Sequence, residues 1–281
     1  MKKWLVTLVL FLAVGLLAAC GGGDTEEGTD NAGKASESKE IELGATAGPY
    51  SDMLSKAIIP SLEEKGYTVK LTEFSDYIQP NNALDNGDID ANLFQHTIYL
   101  EDFAEKNNMD LTPLIIVPTA PMGIYSNVYN SLDEVKDGAT IAIPNDPTNA
   151  ARAFNTLQDA GLITVSKDAD PLTVSEKDIE ENPKNLEFQP IEAGQLPRAV
   201  DSSDLSAVPG NFAIAASMDL LDALQLENMD DRYRNVVAVK TDNKDSQLAK
   251  DIIEIVESED FEKIIDEEFK GFGKPTWMTE R

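Results

Sequence analysis

The sequence predicts an α/β protein in which two lobes enclose a cleft. Apolar runs alternate with helical patterns along residues 41–94, and this strand-helix-strand series is typical of a sheet whose strands run parallel. Pro118 and Pro121 then interrupt the pattern, as expected for an extended segment that carries the chain into a second lobe. A second crossing is expected before Asn235. Since small molecules bind such sheets at the carboxyl ends of the strands, the cleft is the expected site.

The first lobe is expected to combine residues 40–119 with residues 235–281, two separate parts of the chain. Its clearest strand is 67–74, where Val69 and Leu71 alternate with polar side chains, as in a strand with one buried face. The predicted strands are 41–46, 67–74, 91–94, 112–117 and 235–240, and the predicted helices are 50–65 with a kink at Pro60, 80–85 and 246–269.

The second lobe is expected to span residues 120–234. Its clearest unit is a buried strand at 141–143, a polar elbow, and a helix at 148–158 with Ala151 and Phe154 on its apolar face. The other predicted strands are 122–126, 186–191 and 205–208, and the other predicted helical segments are 132–135, 195–200 and 211–224.

The elbow between that strand and helix carries a local signal for a binding site. Asn145 and Asp146 can cap the helix, and Pro147 suits its first turn, where a missing N–H costs nothing. Arg152 lies in the second turn, where a cation opposes the helix dipole. An anion held between Arg152 and the helix N-terminus would explain this placement, and an exposed arginine screened by solvent is the alternative.

The amino-terminal residues predict export and lipid attachment. Two lysines precede an apolar run that is too short for a comfortable membrane span, so residues 1–19 are predicted to be a signal peptide. The run ends in Leu-Ala-Ala-Cys20, which resembles the lipobox of bacterial lipoproteins, where a palmitate-type acyl group modifies the cysteine. Residues 20–39 contain no large apolar side chain and are predicted to be a lipidated cysteine followed by a flexible acidic linker.

Composition narrows the possible partners. The chain carries a formal charge of −28, from 51 acidic and 23 basic residues. Such a surface repels phosphate backbones, so nucleic acid is not expected as a partner. An anion in so acidic a protein needs a local, well-aimed donor such as Arg152. The single cysteine allows no disulfide within the chain.

The common catalytic systems are not represented in the sequence. His96 is the one histidine and Cys20 the one cysteine, whereas nucleophile triads and zinc sites need more of these residues. No phosphate-binding loop or dinucleotide fingerprint is present. Neither an enzyme nor a metal or other cofactor is therefore expected. A hydrolase with paired carboxylates stays the alternative, because Asp and Glu are too abundant for their number to decide.

Aromatic side chains gather at the expected cleft end of the first lobe. Phe94, His96 and Tyr99 follow one predicted strand, and Tyr77 follows its neighbour. Aromatic residues and lone histidines most often pack in a core, and that interpretation stays open. Their position at strand ends favours a second interpretation, an aromatic wall for a small amino acid with an apolar side chain.

Several motifs resemble the methionine-binding lipoprotein (MetQ/NlpA) family, in order and at matching spacing. They are Phe74-Ser-Asp-Tyr-Ile-Gln-Pro-Asn81, Gly87-Asp-Ile-Asp-Ala-Asn-Leu-Phe-Gln-His96, Ile143-Pro-Asn-Asp-Pro-Thr-Asn149 with Arg152, Glu181-Asn-Pro-Lys184 and Gln195-Leu-Pro-Arg198. The resemblance runs from about residue 40 to the C-terminus. It implies a type II periplasmic-binding-protein fold and the role of the substrate-binding component of an ABC importer. The implied partners are methionine, the ABC permease with its ATPase, and the membrane through lipid on Cys20, at the extracytoplasmic face.

The resemblance also implies roles for single residues. Arg152 matches an arginine that clamps the ligand carboxylate, a bidentate task that lysine performs poorly. Asn235 matches an amide that contacts the amino-acid head group, and the aromatic positions match a pocket where a thioether packs on rings. The complete predicted set of ligand-binding residues is Tyr77, Phe94, His96, Tyr99, Asn149, Arg152 and Asn235.

Two positions depart from the family pattern. Tyr50 stands where the family usually has histidine, and Pro209 replaces an asparagine that in the family helps to hold the ligand amine. Because proline offers no polar side chain and no N–H, its presence is expected to cost about 1.5–3 kcal/mol of binding free energy. The alternatives are that Asn211 takes over, or that the ligand is a methionine-containing dipeptide or another small apolar amino acid. A surface lipoprotein no longer active in transport is a further alternative.

Overall fold

The structure, a computed structural model, describes residues 39–281; the predicted signal peptide, Cys20 and all but the last residue of the predicted linker lie outside the described residues. The strands are β1 Lys39–Thr46, β2 Tyr67–Phe74, β3 Ala91–His96, β4 Leu111–Ile116, β5 Gly123–Tyr125, β6 Thr140–Pro144, β7 Thr164–Val165, β8 Ile179–Glu181, β9 Glu187–Ile191, β10 Leu205–Val208, β11 Gln225–Leu226 and β12 Asn235–Lys240. The α-helices are α1 Pro49–Met53, α2 Ile59–Glu64, α3 Gln79–Asn86, α4 Thr97–Asn107, α5 Pro147–Asp159, α6 Leu196–Ala199, α7 Gly210–Ala215, α8 Gln247–Val256, α9 Glu259–Glu268 and α10 Thr276–Thr279.

Two five-stranded sheets organise the described chain. The first sheet has the order β2-β1-β3-β12-β4, and the second has the order β11-β5-β10-β6-β9. The chain leaves the first sheet after β4 and returns to it at β12, so residues 117–122 and 227–234 form the two connections. The predicted fold class, two α/β lobes with a cleft and two crossover segments, is confirmed. The lobe limits at 40–119 plus 235–281 and at 120–234 stay a prediction.

Helices cover both faces of each sheet, as expected for parallel strands that are apolar on both sides. In the first lobe α1, α2, α8 and α9 pack on one face, around Leu43, Leu62 and Phe261, while α3 and α4 cover the other. In the second lobe α5 packs on one face, around Ile141 and Phe154, while α6 and α7 cover the other.

The parallel pairing predicted from residues 41–94 is confirmed, but it does not extend to the rest of the first sheet. Strands β2, β1 and β3 are parallel, but β12 runs antiparallel to both β3 and β4. The reason is the direction of return, because β12 enters the sheet from the cleft end, where β3 and β4 finish. Asn235 therefore lies opposite His96 in the ladder.

Two predicted helices are wrong in length because capping residues end them early. The helix predicted at 211–224 is α7 alone: Ser217 adopts a left-handed φ of 61°, and the Met218 N–H donates back to the Ala213 carbonyl. The helix predicted at 246–269 is divided into α8 and α9, since Ser258 caps α9 by accepting a hydrogen bond from the Phe261 N–H.

Two further local features differ from the expectation. The kink predicted at Pro60 takes the form of a π-helical turn, Leu54–Ile58, between α1 and α2, since proline has no N–H to continue the α-helical ladder. Helix α4 and the small β7-β8 hairpin were not predicted at all. Helix α4 begins at the aromatic cluster after β3, and its first turn carries Tyr99.

We expect Gly210→Ala to destabilise the protein by about 1–3 kcal/mol. A Cβ at Gly210 would lie 2.4 Å from the Pro121 carbonyl oxygen and 2.7 Å from the Ala120 Cβ, so α7 begins in direct contact with the first connection. Urea unfolding measures the change. Ala216→Ser is the matched control, because it also adds one heavy atom beside α7 but at an exposed position. Equal stability of the two variants would contradict the tight contact.

Candidate functional site

A cavity between the two sheets brings together every ligand-binding residue predicted from the sequence. Its atom-free space, counted together with the solvent at its opening, is about 290 Å³. The lining residues are Tyr50, Tyr77, Phe94, Gln95, His96, Tyr99, Ala120, Asn149, Arg152, Asn211 and Asn235. They come from the strand ends of the first lobe, from the first connection and from helices α5 and α7 of the second lobe. Their role in binding stays a prediction, but their clustering is a property of the fold.

Three aromatic rings form one wall of the cavity. The Tyr77 ring centroid lies 5.8 Å from those of both Phe94 and Tyr99, and Phe94 and Tyr99 are 6.1 Å apart. The Tyr99 hydroxyl donates to the Tyr77 carbonyl at 2.9 Å, which joins the first turn of α4 to the loop that carries Tyr77. Phe212 of α7 packs against Tyr77 from the opposite lobe, with the ring centroids 4.9 Å apart and the ring planes tilted by 35°. The wall is therefore rigid and spans the cleft.

A β-bulge explains how β3 places its residues around the cavity. In the ladder with β12, Val237 pairs with Leu93 and Val236 pairs with Gln95, so Phe94 has no partner. The extra residue lets Asn92 and Gln95 lie on one face, where a regular strand would put them on opposite faces. There they bond to each other at 3.1 Å and to Asn81 of α3, in a fully buried network of amides.

His96 is a neutral hydrogen-bonding residue that joins the two lobes. Its Nδ1 accepts the Tyr99 N–H at 3.0 Å, so the ring proton lies on Nε2, which faces the Asn149 Oδ1 at 3.3 Å. Burial and then the nearby charge of Arg152 lower the pKa of His96 to about 3. His96 is thus both the cap of α4 and a contact to α5.

The elbow before α5 is capped as the sequence predicted. The Asp146 carboxylate accepts the Asn149 N–H at 2.9 Å and the Asn149 side-chain amide at 3.1 Å. Burial raises the pKa of Asp146, and these hydrogen bonds oppose the shift. Because Asp146 occupies the helix N-terminus, no ligand anion is needed there. Asn149 is held between Asp146 and His96, in one orientation.

Arg152 is buried, at 4% exposure, so the alternative of an exposed, screened arginine is wrong. Its counter-charge is internal: Nε donates to the Glu227 Oε1 and Nη2 to the Glu227 Oε2, both at 2.5 Å. Burial lowers the pKa of Arg152, and Glu227 outweighs this effect and raises it. Tyr233 covers the guanidinium, with its ring centroid 5.9 Å from Cζ. Among residues 39–281, no protein group accepts a hydrogen bond from Nη1, so this side of Arg152 is available to a ligand.

Asn211 is the second polar group that the cavity leaves incomplete. Its Oδ1 accepts the Tyr77 hydroxyl at 2.7 Å, a hydrogen bond between the lobes. Its Nδ2 is buried and has no partner within the described part of the chain. A buried amide donor without a partner costs free energy, so this nitrogen favours a ligand acceptor.

Pro209, by contrast, does not line the cavity. It precedes α7, and its carbonyl accepts the N–H groups of Phe212 and Ala213, both at 3.0 Å. The expected cost of Pro209 in ligand binding stays a prediction. Asn211, two residues later, faces the cavity instead.

Asn235 is fixed where the two connections meet. Its N–H donates to the Thr119 Oγ1 at 2.7 Å, and its carbonyl accepts the Val117 N–H at 2.8 Å. Thr119 in turn pairs with Gly273 through both backbone groups. The Asn235 side chain lines the cavity and has both a donor and an acceptor to offer.

Glu227 and Tyr233 support this site, yet the sequence did not predict them as site residues. Tyr50 and Asn211 line the cavity, and the sequence analysis named them only as a departure from the family pattern and as an alternative ligand contact. Among 51 acidic residues nothing distinguished Glu227, because its partner lies 75 positions earlier. Burial raises the pKa of Tyr50 to about 12, so its hydroxyl is uncharged at the cavity. Of these residues, Asn211 alone had a sequence signal for a place at the site, because it follows shortly after a buried strand that ends at the cleft.

Known proteins are similar to this chain in both sequence and fold. Residues 41–277 match the family described as NlpA lipoprotein. The chain belongs to the NlpA lipoprotein family. The family resemblance drawn from the motifs is therefore confirmed.

Relatives within the NlpA lipoprotein family are similar over almost their full length. The methionine-binding lipoprotein MetQ of Bacillus subtilis (strain 168) is 35% identical over 276 residues, covering 96% of this chain and 97% of the relative. The D-methionine-binding lipoprotein MetQ of Salmonella typhi is 34% identical over 94% of this chain and 95% of the relative. A nutrient binding protein from Burkholderia cenocepacia bound to methionine has a TM-score of 0.77 at 35% identity, covering 82% of this chain and 97% of that one.

Residues 39–281 lack two features that mark other classes of protein. No group of three or more His, Cys, Asp or Glu side chains in this range is placed to hold a metal ion. None of the helices in the same range is long and apolar enough to cross a membrane.

We expect His96 to make stability depend on pH with a known sign. The folded-state pKa of about 3 lies below the ordinary 6.5, so only the unfolded state binds the proton between these values. Stability is unaffected by His96 above pH 6.5 and falls by about 1.4 kcal/mol per pH unit as the pH drops below it. Urea unfolding of the wild type and of His96→Gln, from about pH 7 to about pH 5, isolates this slope.

NMR of the histidine ring in the wild type is an independent test of the His96 prediction, because the chain has a single histidine. Nitrogen-15 NMR of the ring should show a neutral imidazole with its proton on Nε2 throughout this pH range. A ring that titrates near its ordinary pKa in the folded protein would contradict the proposed burial and tautomer.

Proposed function

We propose that this chain is a lipid-anchored substrate-binding protein of an ABC importer, which captures methionine or a close relative outside the cytoplasm and delivers it to the permease. Membership of the NlpA lipoprotein family supports a substrate-binding role. The similar protein from Burkholderia cenocepacia is described as bound to methionine, and a similar one from Coxiella burnetii as an ABC transporter, periplasmic substrate-binding protein. The lipobox-like segment supports attachment to the membrane through Cys20.

One observation carries the proposal: the cavity combines polar groups that lack protein partners with an aromatic wall. Arg152 Nη1 and Asn211 Nδ2 are donors without protein partners in the described chain, and they suit a carboxylate. Asn235 can accept from an ammonium group. Rings of Tyr77 and Phe94 suit a thioether, because sulfur packs favourably at ring faces and edges.

Closure of the two lobes would trap the ligand. Hydrogen bonds from Tyr77 to Asn211 and between His96 and Asn149 each join a residue of the first lobe to one of the second. Both lie at the cavity, so they form only when the lobes close. A ligand that contacts Arg152 and the aromatic wall together adds its own bridge, which favours the closed state.

A single amino acid is the first candidate, because the similar protein from Burkholderia cenocepacia is described as bound to methionine. The second candidate is the same kind of binding protein with a methionine-containing dipeptide as its ligand. The third is a surface lipoprotein that is no longer active in transport. Neither has a specific observation in its favour now that Pro209 lies outside the cavity.

Thermal-shift screening should detect the ligand directly. We expect L-methionine or D-methionine to stabilise the wild type, since a ligand at 100 times its Kd adds about 2.7 kcal/mol. Glycyl-methionine and methionyl-glycine test the dipeptide alternative. No stabilisation by any of these four compounds would overturn the proposed function.

The same assay tests Arg152 with a conservative variant. Arg152→Lys keeps the charge but loses a planar donor edge, so we expect affinity to fall by about ten- to a hundredfold. Arg198→Lys is the control, because Arg198 is exposed and outside the cavity. Unchanged affinity in Arg152→Lys would exclude the arginine as the carboxylate clamp.

We also expect substitutions at two neighbouring positions to differ in their effect on methionine affinity. Asn211→Ala should weaken methionine binding about tenfold, because it removes the unpaired Nδ2 donor and the bond to Tyr77. Pro209→Asn should leave affinity within about twofold, because Pro209 does not line the cavity. Isothermal titration calorimetry measures both. A gain of tenfold or more in Pro209→Asn would restore the role that the family pattern suggested for this position.

A further inference from the structure

Glu227 holds one side of the Arg152 guanidinium and leaves the other side open. Its two oxygens take Nε and Nη2, at 2.5 Å each, in a planar, two-point contact. Because a guanidinium is rigid, fixing this side also fixes the direction of Nη1. The Glu227 carboxylate itself is not a cavity-lining group, so it acts on a ligand through Arg152.

The backbone holds Glu227 in place at the point where the chain crosses between sheets. The Glu227 N–H donates to the Met122 carbonyl at 2.9 Å, and the Met122 N–H donates to the Glu227 Oε2 at 2.8 Å. Met122 ends the first connection, and Glu227 begins the second. The carboxylate is therefore anchored by main-chain groups and does not depend on a ligand for its position.

The Arg152–Glu227 ion pair also determines the net charge of the cavity in which a ligand binds. Both side chains are 5% exposed, so their charges are poorly screened by solvent. His96 is neutral, and burial keeps Tyr77 and Tyr99 neutral by raising the pKa of each hydroxyl. The remaining nearby acid, Asp146, adds no positive charge. With Glu227 in place the cavity has no net positive charge, whereas Arg152 alone would attract any anion.

We propose that Glu227 is a positioning and specificity-determining residue, which directs Arg152 toward the ligand and cancels its charge. The site then favours a zwitterionic amino acid over a carboxylate anion that lacks the ammonium group. This inference rests on the proposed function for its ligand, but its electrostatic part does not.

The test compares two ligands and two amide variants. Glu227→Gln keeps the shape of the side chain and removes its charge, and Asp251→Asn does the same to a buried carboxylate of α8, far from the cavity. Calorimetry measures L-methionine and 4-(methylthio)butanoate, which is methionine without its amino group. In Glu227→Gln the preference for L-methionine over the anion should shrink by at least about tenfold, and in Asp251→Asn it should not change. An unchanged preference in Glu227→Gln would overturn the proposal.

Glu227→Asp separates position from charge. It keeps the negative charge but shortens the reach to Arg152, so affinity for L-methionine should fall while the preference over the anion stays as in the wild type. A preference that shrinks as much as in Glu227→Gln would show that charge is not the determinant. This variant also covers the case in which Glu227→Gln does not fold.

Acetate gives a readout that needs no methionine binding. At constant ionic strength, adding acetate should raise the Tm of Glu227→Gln by about 3 °C, because the buried Arg152 then lacks a counter-charge and binds the anion. The wild type and Asp251→Asn should show no such rise. If acetate stabilises all three proteins equally, the charge argument fails, whatever the outcome of the methionine screen.

Discussion

A buried guanidinium needs a counter-charge, and in this protein the pairing of Arg152 with Glu227 meets that need within one lobe. An isolated charge at 4% exposure would cost several kcal/mol, so removing one partner leaves the other unpaired and destabilises the fold. Glu227 is tied in turn to the Met122 backbone, which ends the first connection between the sheets. One ion pair thus links helix α5 to both connections. Arg152 therefore has a fixed orientation before a ligand carboxylate binds to it.

The rest of the site depends on backbone features that direct side chains into the cleft. The bulge at Phe94 frees this residue from the ladder and lets Asn92 and Gln95 join one amide network. The antiparallel return of β12 places Asn235 opposite His96, although the two are far apart in sequence. The close start of α7 at Gly210 presents Asn211 to the cavity. In each case a local feature of the backbone determines which groups a polar side chain can contact.

The sequence predicted elements well where periodicity was strong and poorly where single residues end them. Strands 67–74, 205–208 and 235–240 have the predicted bounds, because alternation and β-branched residues leave little choice. The helix predicted at 246–269 failed because the apolar pattern continues across a serine cap. Helix α4 was not predicted, because its aromatic residues were interpreted as a wall of the cleft and not as one face of a helix. The parallel pairing of β1, β2 and β3 followed from their helical crossovers, whereas the antiparallel direction of β12 depends on the path of the returning chain.

By itself the sequence determined the fold class, the family and the residues that line the cavity, because motifs at the strand ends of both sheets face the cleft between them. Tyr77, Phe94, His96, Tyr99, Asn149, Arg152 and Asn235 all line one cavity for this reason. Only the tertiary structure decided the charge balance around Arg152. Its partner, Glu227, is 75 residues away and is one of many acids, so no local pattern can select it. The tertiary structure likewise decided that Asn211 lines the cavity, because the direction of a side chain at a helix start depends on how tightly that helix packs.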